Sequence, residues 1–395
     1  MTYNTKIGKF CATHSNWEAL LTAEPYSIKI KRKDSFVIFN YNQLSSDFSI
    51  DIVQEARGII FKEGKWESPV CHAFDKFFNF GQVECAELDW NTAKVSEKID
   101  GSIMKLWCYN DCWYLSTNGN IYAEDAPIPD IRKETFAQVF WEGIIQHIPQ
   151  STNGGGKKES LIDWFNLLNP DCTYIFELVS PYTRVVIPYE YTDVYFLGAR
   201  HNATNYQWGC DKVSATILHV EMLPRPKQYS LNTLDQVITA ANELPWDNEG
   251  YVCYDKDFNR CKIKSPKYVL AHFARNNNVI TRKHLIDIIL KGEIDEFLIY
   301  ASDYADQMKY TKRLMDDFTY FVDDCALITR NLRKLDRIDA AEVIKKFHKF
   351  VQPIMFMNLD RHVGGREYTY DWNVYRWERV LDSFTNFLER GPENQ

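Results

Sequence analysis

The sequence predicts an α+β protein: a domain of antiparallel sheets with helices packed on them, followed by an all-helical C-terminal domain. Three observations carry this expectation. From about Ser27 to Lys264 the chain reads as short apolar or alternating stretches broken by turn residues. That punctuation stops after Pro266, since no proline occurs from Lys267 to Gln352 and Gly292 is the only glycine there. In the same tail Leu314, Phe318, Phe321, Val322 and Cys325 follow helical spacing. The boundary is expected near residue 270, dividing the chain into 1–270 and 271–395.

Taken in order, the elements justify that division. Lys29, Lys31, Arg32 and Lys33 sit on a strand. Their charge suits either phosphate contacts or a solvated edge that discourages strand pairing. Ser102–Tyr109 and Cys112–Leu115 flank Asn110-Asp111, a hairpin turn, so Lys98 lies where a hairpin begins. Ile131–His147 reads as a helix with Phe136, Val139, Phe140 and Ile144 on one face. Ser151–Lys158 is glycine-rich, but it lacks the first glycine and the closing Ser or Thr of a phosphate loop and reads as a surface loop. Leu231–Glu243 reads as a helix capped by Ser230 or Asn232. Gly250–Tyr254 and Cys261–Lys264 flank Asp255–Asn259 as a second hairpin. In the tail, Asp339-Ala-Ala-Glu342 matches a capping box, and 371–388 reads as the last helix. Arg330, Arg333, Lys334 and Arg337 recur at helical spacing, as an RNA-binding stripe or as a solvated face.

Composition narrows the class. A chain of 395 residues with 45% hydrophobic and 25% charged content is an ordinary globular protein, long enough for two domains. A net charge of −8 argues against a general nucleic-acid coat but leaves local basic patches open. The ten cysteines form no C-x-x-C pair, the N-terminal residues lack the apolar core of a signal peptide, and no stretch approaches a membrane span. This points to a cytoplasmic protein with reduced thiols, although Cys108 and Cys112 flank a hairpin turn where a disulfide could form. The nine histidines show no H-E-x-x-H, and the one H-x-E, His219-Val-Glu221, has no C-x-x-C to complete a zinc site, which argues against a zinc enzyme.

The chemistry is concentrated in four short stretches. Lys98-Ile-Asp100-Gly101 is followed by Tyr174-Ile-Phe-Glu177, then by Glu249-Gly250-Tyr-Val252, then by Lys262-Ile-Lys264. A lysine, two later carboxylates and a final lysine pair are the parts that covalent nucleotidyl transfer needs. The amine must attack phosphorus as a neutral group, and a free lysine is neutral in roughly one molecule in 2,500 at pH 7. Neighbouring cations and burial are what lower its pKa. Lys262 and Lys264 stand two apart on a strand and can face one side, where they suit both that task and the neutralisation of phosphates. Glu177 and Glu249 are hard oxygen ligands of the kind magnesium takes, with manganese as an alternative. Glu177 lies in an otherwise apolar run, where a charge is costly unless it meets a cation. Gly101 lets the backbone come close to a nucleotide.

With these residues the chain resembles the ATP-dependent RNA ligases of the phage RNA ligase 1 type. The stretches that carry the resemblance are Glu55-Ala-Arg57-Gly58-Ile-Ile-Phe61, Asp75-Lys76-Phe77-Phe78-Asn79, Lys98-Ile-Asp-Gly-Ser102, Phe176-Glu177-Leu-Val-Ser-Pro181, Arg184-Val-Val-Ile187, Glu249-Gly-Tyr-Val252 and Lys262-Ile-Lys-Ser265. The resemblance implies an antiparallel-sheet nucleotidyltransferase domain. It implies that Lys98 takes AMP from ATP, that Arg57 and Lys76 contact phosphates, and that Phe78 and Tyr268 lie near the nucleotide with Asp100 and Gly101. It also implies RNA partners with 5′-phosphate and 3′-hydroxyl ends, cleaved tRNA among them, and an end-healing kinase or phosphatase as a partner enzyme. Tyr195, Phe196, Leu197 and Val252 are candidates for adenine contacts. One position departs from the family: Asn118 stands where a basic residue is common, and it could contact ribose instead. DNA ligases and capping enzymes share the lysine chemistry, but they append a turn-rich barrel rather than a helical tail. A catalytically idle RNA-binding protein on the same fold is the rival from another class, and the intact Lys98, Glu177, Glu249, Lys262 and Lys264 oppose it.

Overall fold

The computed structural model describes residues 3–128, 133–148, 157–274, 280–332, 334–360 and 374–390. The chain divides into two compact units, Met1–His272 and Phe273–Gln395. The first unit begins with α1 (Lys6–Thr13) and α2 (Trp17–Thr22), followed by β1 (Lys29–Lys33), β2 (Phe36–Asn40), α3 (Asp51–Glu55), β3 (Arg57–Lys62), β4 (Phe78–Asn79) and β5 (Lys94–Glu97). Then come β6 (Ser102–Tyr109), β7 (Cys112–Thr117), α4 (Phe136–Ile145), α5 (Lys157–Leu167), β8 (Cys172–Val179), β9 (Asp193–His201), β10 (Gln207–Trp208) and α6 (Lys212–Ile217). The series closes with β11 (Gln228–Tyr229), α7 (Leu234–Glu243), β12 (Gly250–Tyr254), β13 (Arg260–Lys264) and α8 (Pro266–Ala274), in which the unit boundary falls.

The described strands form three sheets, ordered β1-β2-β3, β10-β9-β8-β6-β7 and β11-β5-β12-β13-β4. All pairings are antiparallel except β13 with β4. The β6–β7 hairpin turns on Asn110 and Asp111 with φ of 50° and 60°, the double positive φ that matches strand twist in a two-residue loop. One face of the β6–β10 sheet is apolar and buries Met104, Leu106, Tyr174, Phe176 and Phe196 against Val139, Phe140 and Ile144 of α4. In the third sheet Tyr251, Cys253, Cys261 and Ile263 meet Val237 and Ala241 of α7. The alternate residues of β12 and β13 therefore face the other way, and that is where the charged positions fall.

The second unit contains α9 (Arg282–Lys291), α10 (Ile294–Tyr300), α11 (Ala305–Leu332), α12 (Arg337–Ile344), α13 (Gln352–Asp360) and α14 (Val374–Arg390). Its core holds Leu314, Phe318, Val322 and Cys325 at the helical spacing seen in the sequence, with Met355, Leu381 and Phe384. Among the described residues no helix is long and apolar enough to cross a membrane.

Several boundaries differ from the sequence reading, each for a local reason. The α4 helix starts at Phe136 because Thr135 and Gln138 form a capping box, and residues 131–132 of the expected helix lie outside the described residues. Thr233, rather than Ser230 or Asn232, caps α7 by accepting from the Gln236 N–H. Asp336 caps α12 by accepting from Ile338 and Asp339, so the Asp339–Glu342 pattern falls inside the helix. The basic stripe is not one helical face: α11 ends at Leu332, Arg337 opens α12, and Arg333 lies outside the described residues. Residues 371–373 and 151–156 lie outside them as well, while Lys157 begins α5. On β1, Arg32 pairs with Glu18 and Glu63, Lys33 pairs with Asp125, and Lys31 donates to Gly119. All ten cysteines, Cys108 and Cys112 included, are free thiols.

Phe196 is fully buried in the α4-facing core. Truncation to alanine is expected to cost about 3–5 kcal/mol, measured by urea denaturation.

Candidate active site

The outward faces of the β5–β12–β13 strands and the β6–β8–β9 strands enclose a cleft of about 670 Å³. Lys98 follows β5, and its backbone N–H donates to the Gly250 carbonyl at 2.9 Å, fixing where the side chain leaves the sheet. Its Nζ donates to Glu249 Oε2 at 2.7 Å. The other oxygen, Oε1, lies 3.3 Å from Lys264 Nζ. Glu249 is 4% exposed. Burial alone pushes its carboxyl up, but the two ammonium groups outweigh that and hold it below the usual value. The nearest charged partner of Lys98 is thus a carboxylate that it shares with a cation, rather than the cation itself.

Glu177 enters from β8, opposite Ile103 of β6. It lines the cleft and makes no hydrogen bond or ion pair among the described residues. Burial pushes its carboxyl up to about 7, with Lys98 pulling it down and Glu249 pushing it further up. Glu249 does not line the cleft; it lies behind Lys98 and Lys264. Among the described residues no three His, Cys, Asp or Glu side chains are grouped to hold a metal ion. A divalent ion here would take Glu177 and complete its shell with phosphate oxygens and water, which is the usual magnesium arrangement.

Gly101 and Asp100 have structural work that the sequence did not disclose. A Cβ on Gly101 would stand 2.4 Å from the Leu178 carbonyl oxygen and 3.0 Å from Glu177 Cγ. The glycine therefore lets β8 press against the Lys98 segment, in addition to lining the cleft. Asp100 is buried beneath the cleft, where it accepts from the N–H groups of Val186 and Ile187 at 2.9 and 2.7 Å and from the Tyr268 hydroxyl at 2.8 Å. Asp100 and Tyr268 tie the loop after Lys98 to residues 186–187 and to α8, and neither lines the cleft.

Arg57, Lys262 and Lys264 line the cleft with Asn118, Leu197 and Val252. Phe77 carries two of these cations, with the Arg57 guanidinium 5.2 Å and Lys262 Nζ 5.6 Å from its ring centre. Asn118 Oδ1 is buried without a hydrogen-bond partner. Lys76 and Phe78 line a separate depression of about 150 Å³, where Lys76 lies over the rings of Tyr41, Phe48 and Phe78 and donates to Gln43. Phe196 points into the core and cannot reach a base, because strand alternation sends Leu197 to the cleft and Phe196 to the opposite face. Tyr195 hydrogen-bonds Tyr191 and does not line the cleft. The sequence reading missed Phe74, Phe77 and Arg260, all of which line it. Arg260 could have been found as the residue two before Lys262 on the same strand face.

A lysine amine, a buried carboxylate against it and a lining that carries Arg57, Arg260, Lys262 and Lys264 suit a nucleophile that attacks a phosphorus atom in a polyanionic substrate. A family model described as RNA ligase, of the phage RNA ligase 1 type, matches residues 55–268, more than half of the chain. The chain is similar to a protein of Autographa californica nuclear polyhedrosis virus named as a bifunctional polynucleotide kinase/RNA ligase, with 28% identity over 289 residues. That match covers 70% of this chain and 39% of the viral protein. It is also 24% identical over 339 residues to an RNA ligase of Rhodothermus phage RM378, covering 71% of this chain and 74% of the phage protein. An archaeal ATP-dependent RNA ligase structure aligns with a TM-score of 0.47 and 14% identity, over 76% of this chain and 75% of that one.

Because the Glu177 carboxyl is raised from 4.5 to about 7, the folded protein favours its protonated form. That contribution to stability is complete below about pH 4.5 and is lost as pH rises through 7. Glu177→Gln should therefore gain about 1–3 kcal/mol on the wild type between pH 5 and pH 8, read from urea melts at both pH values. A gap that stays constant across that range would show that Glu177 ionises as freely folded as unfolded.

Proposed function

The chain belongs to the RNA ligase family of the phage RNA ligase 1 type, and we propose that it joins RNA ends at the expense of ATP with Lys98 as the nucleophile. The observation that carries this reading is the contact of Lys98 Nζ with Glu249, shared by Lys264, at the wall of a cleft lined by Arg57, Lys262 and Arg260.

In the first step the Lys98 amine, one ammonium proton having passed to water, attacks the α-phosphorus of ATP and releases a second proton to water. A P–N bond forms, the bond to the β-phosphate oxygen breaks, and pyrophosphate leaves. The Glu249 contact holds Lys98 in place before the nucleotide arrives, and attack requires that this contact be given up. Lys264, Lys262 and Arg57 face the phosphates and offset the charge that builds on their oxygens. In the second step an oxygen of the RNA 5′-phosphate attacks the AMP phosphorus, a P–O–P linkage forms, the P–N bond breaks, and Lys98 regains its protons from water. In the third step a 3′-hydroxyl attacks the activated 5′-phosphate, its proton passes to water, a phosphodiester bond forms, the P–O–P linkage breaks and AMP leaves. Magnesium, held by Glu177 and phosphate oxygens, would supply Lewis-acid polarisation of the α-phosphate. The unpartnered Asn118 Oδ1 suits a ribose hydroxyl donor. Val252 and Leu197 offer apolar surface to the base.

RNA with 5′-phosphate and 3′-hydroxyl ends is the proposed substrate, and cleaved tRNA is the candidate natural form. The viral relative's name joins a kinase to a ligase, which supports an end-healing enzyme as partner. The helical unit is the proposed seat of RNA choice.

Lys98→Ala should abolish the covalent AMP adduct seen by mass spectrometry after incubation with ATP, while pre-adenylylated RNA is still sealed. Labelled GTP should give no adduct, and a GMP adduct would redirect the reading to a capping enzyme. Truncation after Ala274 should leave adduct formation within a few-fold of wild type. It should also flatten the preference among nicked duplexes, single strands and cleaved tRNA loops, measured in a ligation panel. A folded truncation that forms no adduct would overturn the proposed division of labour.

A further inference from the structure

The β13 strand carries Arg260, Lys262 and Lys264 at every second position, and all three line the cleft. Two residues of strand advance about 6.6 Å, so Arg260 stands about 13 Å along the strand from Lys264. Lys264 shares Glu249 with Lys98 and so marks the nucleophile's end of the row. Arg260 also lines the Lys76 depression, as does Phe77. The cleft and the depression therefore meet at Arg260, and a track of cations leads from Lys98 past Lys262 and Arg260 to Lys76.

The surroundings of Arg260 are unusual for a structural arginine. Its Nη1 donates to Gln207 Oε1 at 2.8 Å and to the Phe258 carbonyl at 3.3 Å. Its guanidinium carbon lies 4.2 Å from the ring centre of Phe74 and 5.1 Å from that of Phe258. No carboxylate pairs with it among the described residues, and its Nε and Nη2 donate to no protein group there. A partly buried cation without a counter-ion is costly to keep. Here one nitrogen and the ring stacking set the plane, and the Nε–Nη2 edge is left for an anion. That edge is the fork that matches two oxygens of one phosphate.

We propose that Arg260 binds a terminal phosphate group at the end of the cleft remote from Lys98. The proposal rests on the ligase reading for the identity of its ligands. Two sources share this chemistry: the γ end of the nucleoside triphosphate and the 5′-phosphate of an RNA end.

The test uses the full chain as wild type, Arg260→Gln and Arg260→Lys, with melting temperatures recorded for each. One arm measures the KM for ATP in adduct formation and the Kd for inorganic pyrophosphate. The other compares the affinity for one RNA oligonucleotide carrying a 5′-phosphate or a 5′-hydroxyl. Arg260→Gln should lose tenfold or more in at least one arm at an unchanged melting temperature, with Arg260→Lys recovering part of the loss. A loss in the first arm assigns the nucleotide tail, and a loss confined to 5′-phosphorylated RNA assigns the RNA end. Wild-type values in both arms for a folded Arg260→Gln that still forms the adduct overturn the proposal and leave the ligase reading standing. Absence of the adduct in the wild type defeats the ligase reading instead, and the pyrophosphate Kd then still tests the phosphate site. Equal losses in both variants together with a lowered melting temperature assign Arg260 to packing. Should Arg260→Gln fail to fold, phenylglyoxal modification of wild-type Arg260 answers the same question: pyrophosphate or 5′-phosphorylated RNA should protect it, and no protection by either overturns the proposal.

Discussion

A buried carboxylate between two lysines organises this site. Glu249 is almost completely removed from water, a position that a charge tolerates only with counter-charges at hand. Lys98 and Lys264 supply them from segments far apart in sequence, at 2.7 and 3.3 Å. The backbone repeats the connection. The Gly250 carbonyl accepts from Lys98 N–H, the Glu249 carbonyl accepts from Ser265 N–H, and Gly250 is paired with Lys264 in the β12–β13 register. A one-residue slip of β13 would turn Lys262 and Lys264 into the α7 core and strand the carboxylate. Electrostatics and strand register thus enforce each other.

The rest of the frame brings the second sheet up to this point. Gly101 removes the Cβ that would collide with Leu178, so β8 can deliver Glu177 beside Lys98. Gly250, at φ +138°, likewise leaves room for the Ile263 carbonyl, whose oxygen would lie 2.3 Å from an added Cβ. Asp100 draws residues 186–187 and the Tyr268 hydroxyl toward the loop after Lys98. These groups are buried and satisfied, which suits supports rather than ligand contacts. The Asp75 side chain is bound by His72 and Arg200, and this holds the segment that carries Phe77 into the cleft.

Aromatic rings, rather than carboxylates, hold much of the cationic lining. Phe77 lies against Arg57 and Lys262, and Phe74 lies under Arg260. A ring orients a cation without neutralising it. Arg57, Arg260 and Lys262 thus meet the cleft on aromatic supports, while Glu249 is held between Lys98 and Lys264.

Much of this was legible in the sequence because it depends on local periodicity and residue type. Strand alternation placed Lys262 and Lys264 on one face, the Asn110-Asp111 pair marked its hairpin, and helical spacing from Leu314 to Cys325 marked the second core. A lysine, a carboxylate in an apolar strand and a late lysine pair, singled out by the demands of phosphoryl chemistry, do line one cleft. What only tertiary structure decided was which side of an element meets the cleft and which donor finds a partner first. Of adjacent aromatics Phe77 and Phe78, only Phe77 lines it; of Phe196 and Leu197, only Leu197 does. Asp100 became a buried clamp because N–H groups from residues 86 and 87 positions away converge on it. Asp336 capped α12 ahead of Asp339, which ended the apparent basic stripe between two helices. Spacing along a chain reports the geometry within one element, whereas the packing of separate elements sets burial, and burial determines which polar group must be satisfied and which is left for a ligand.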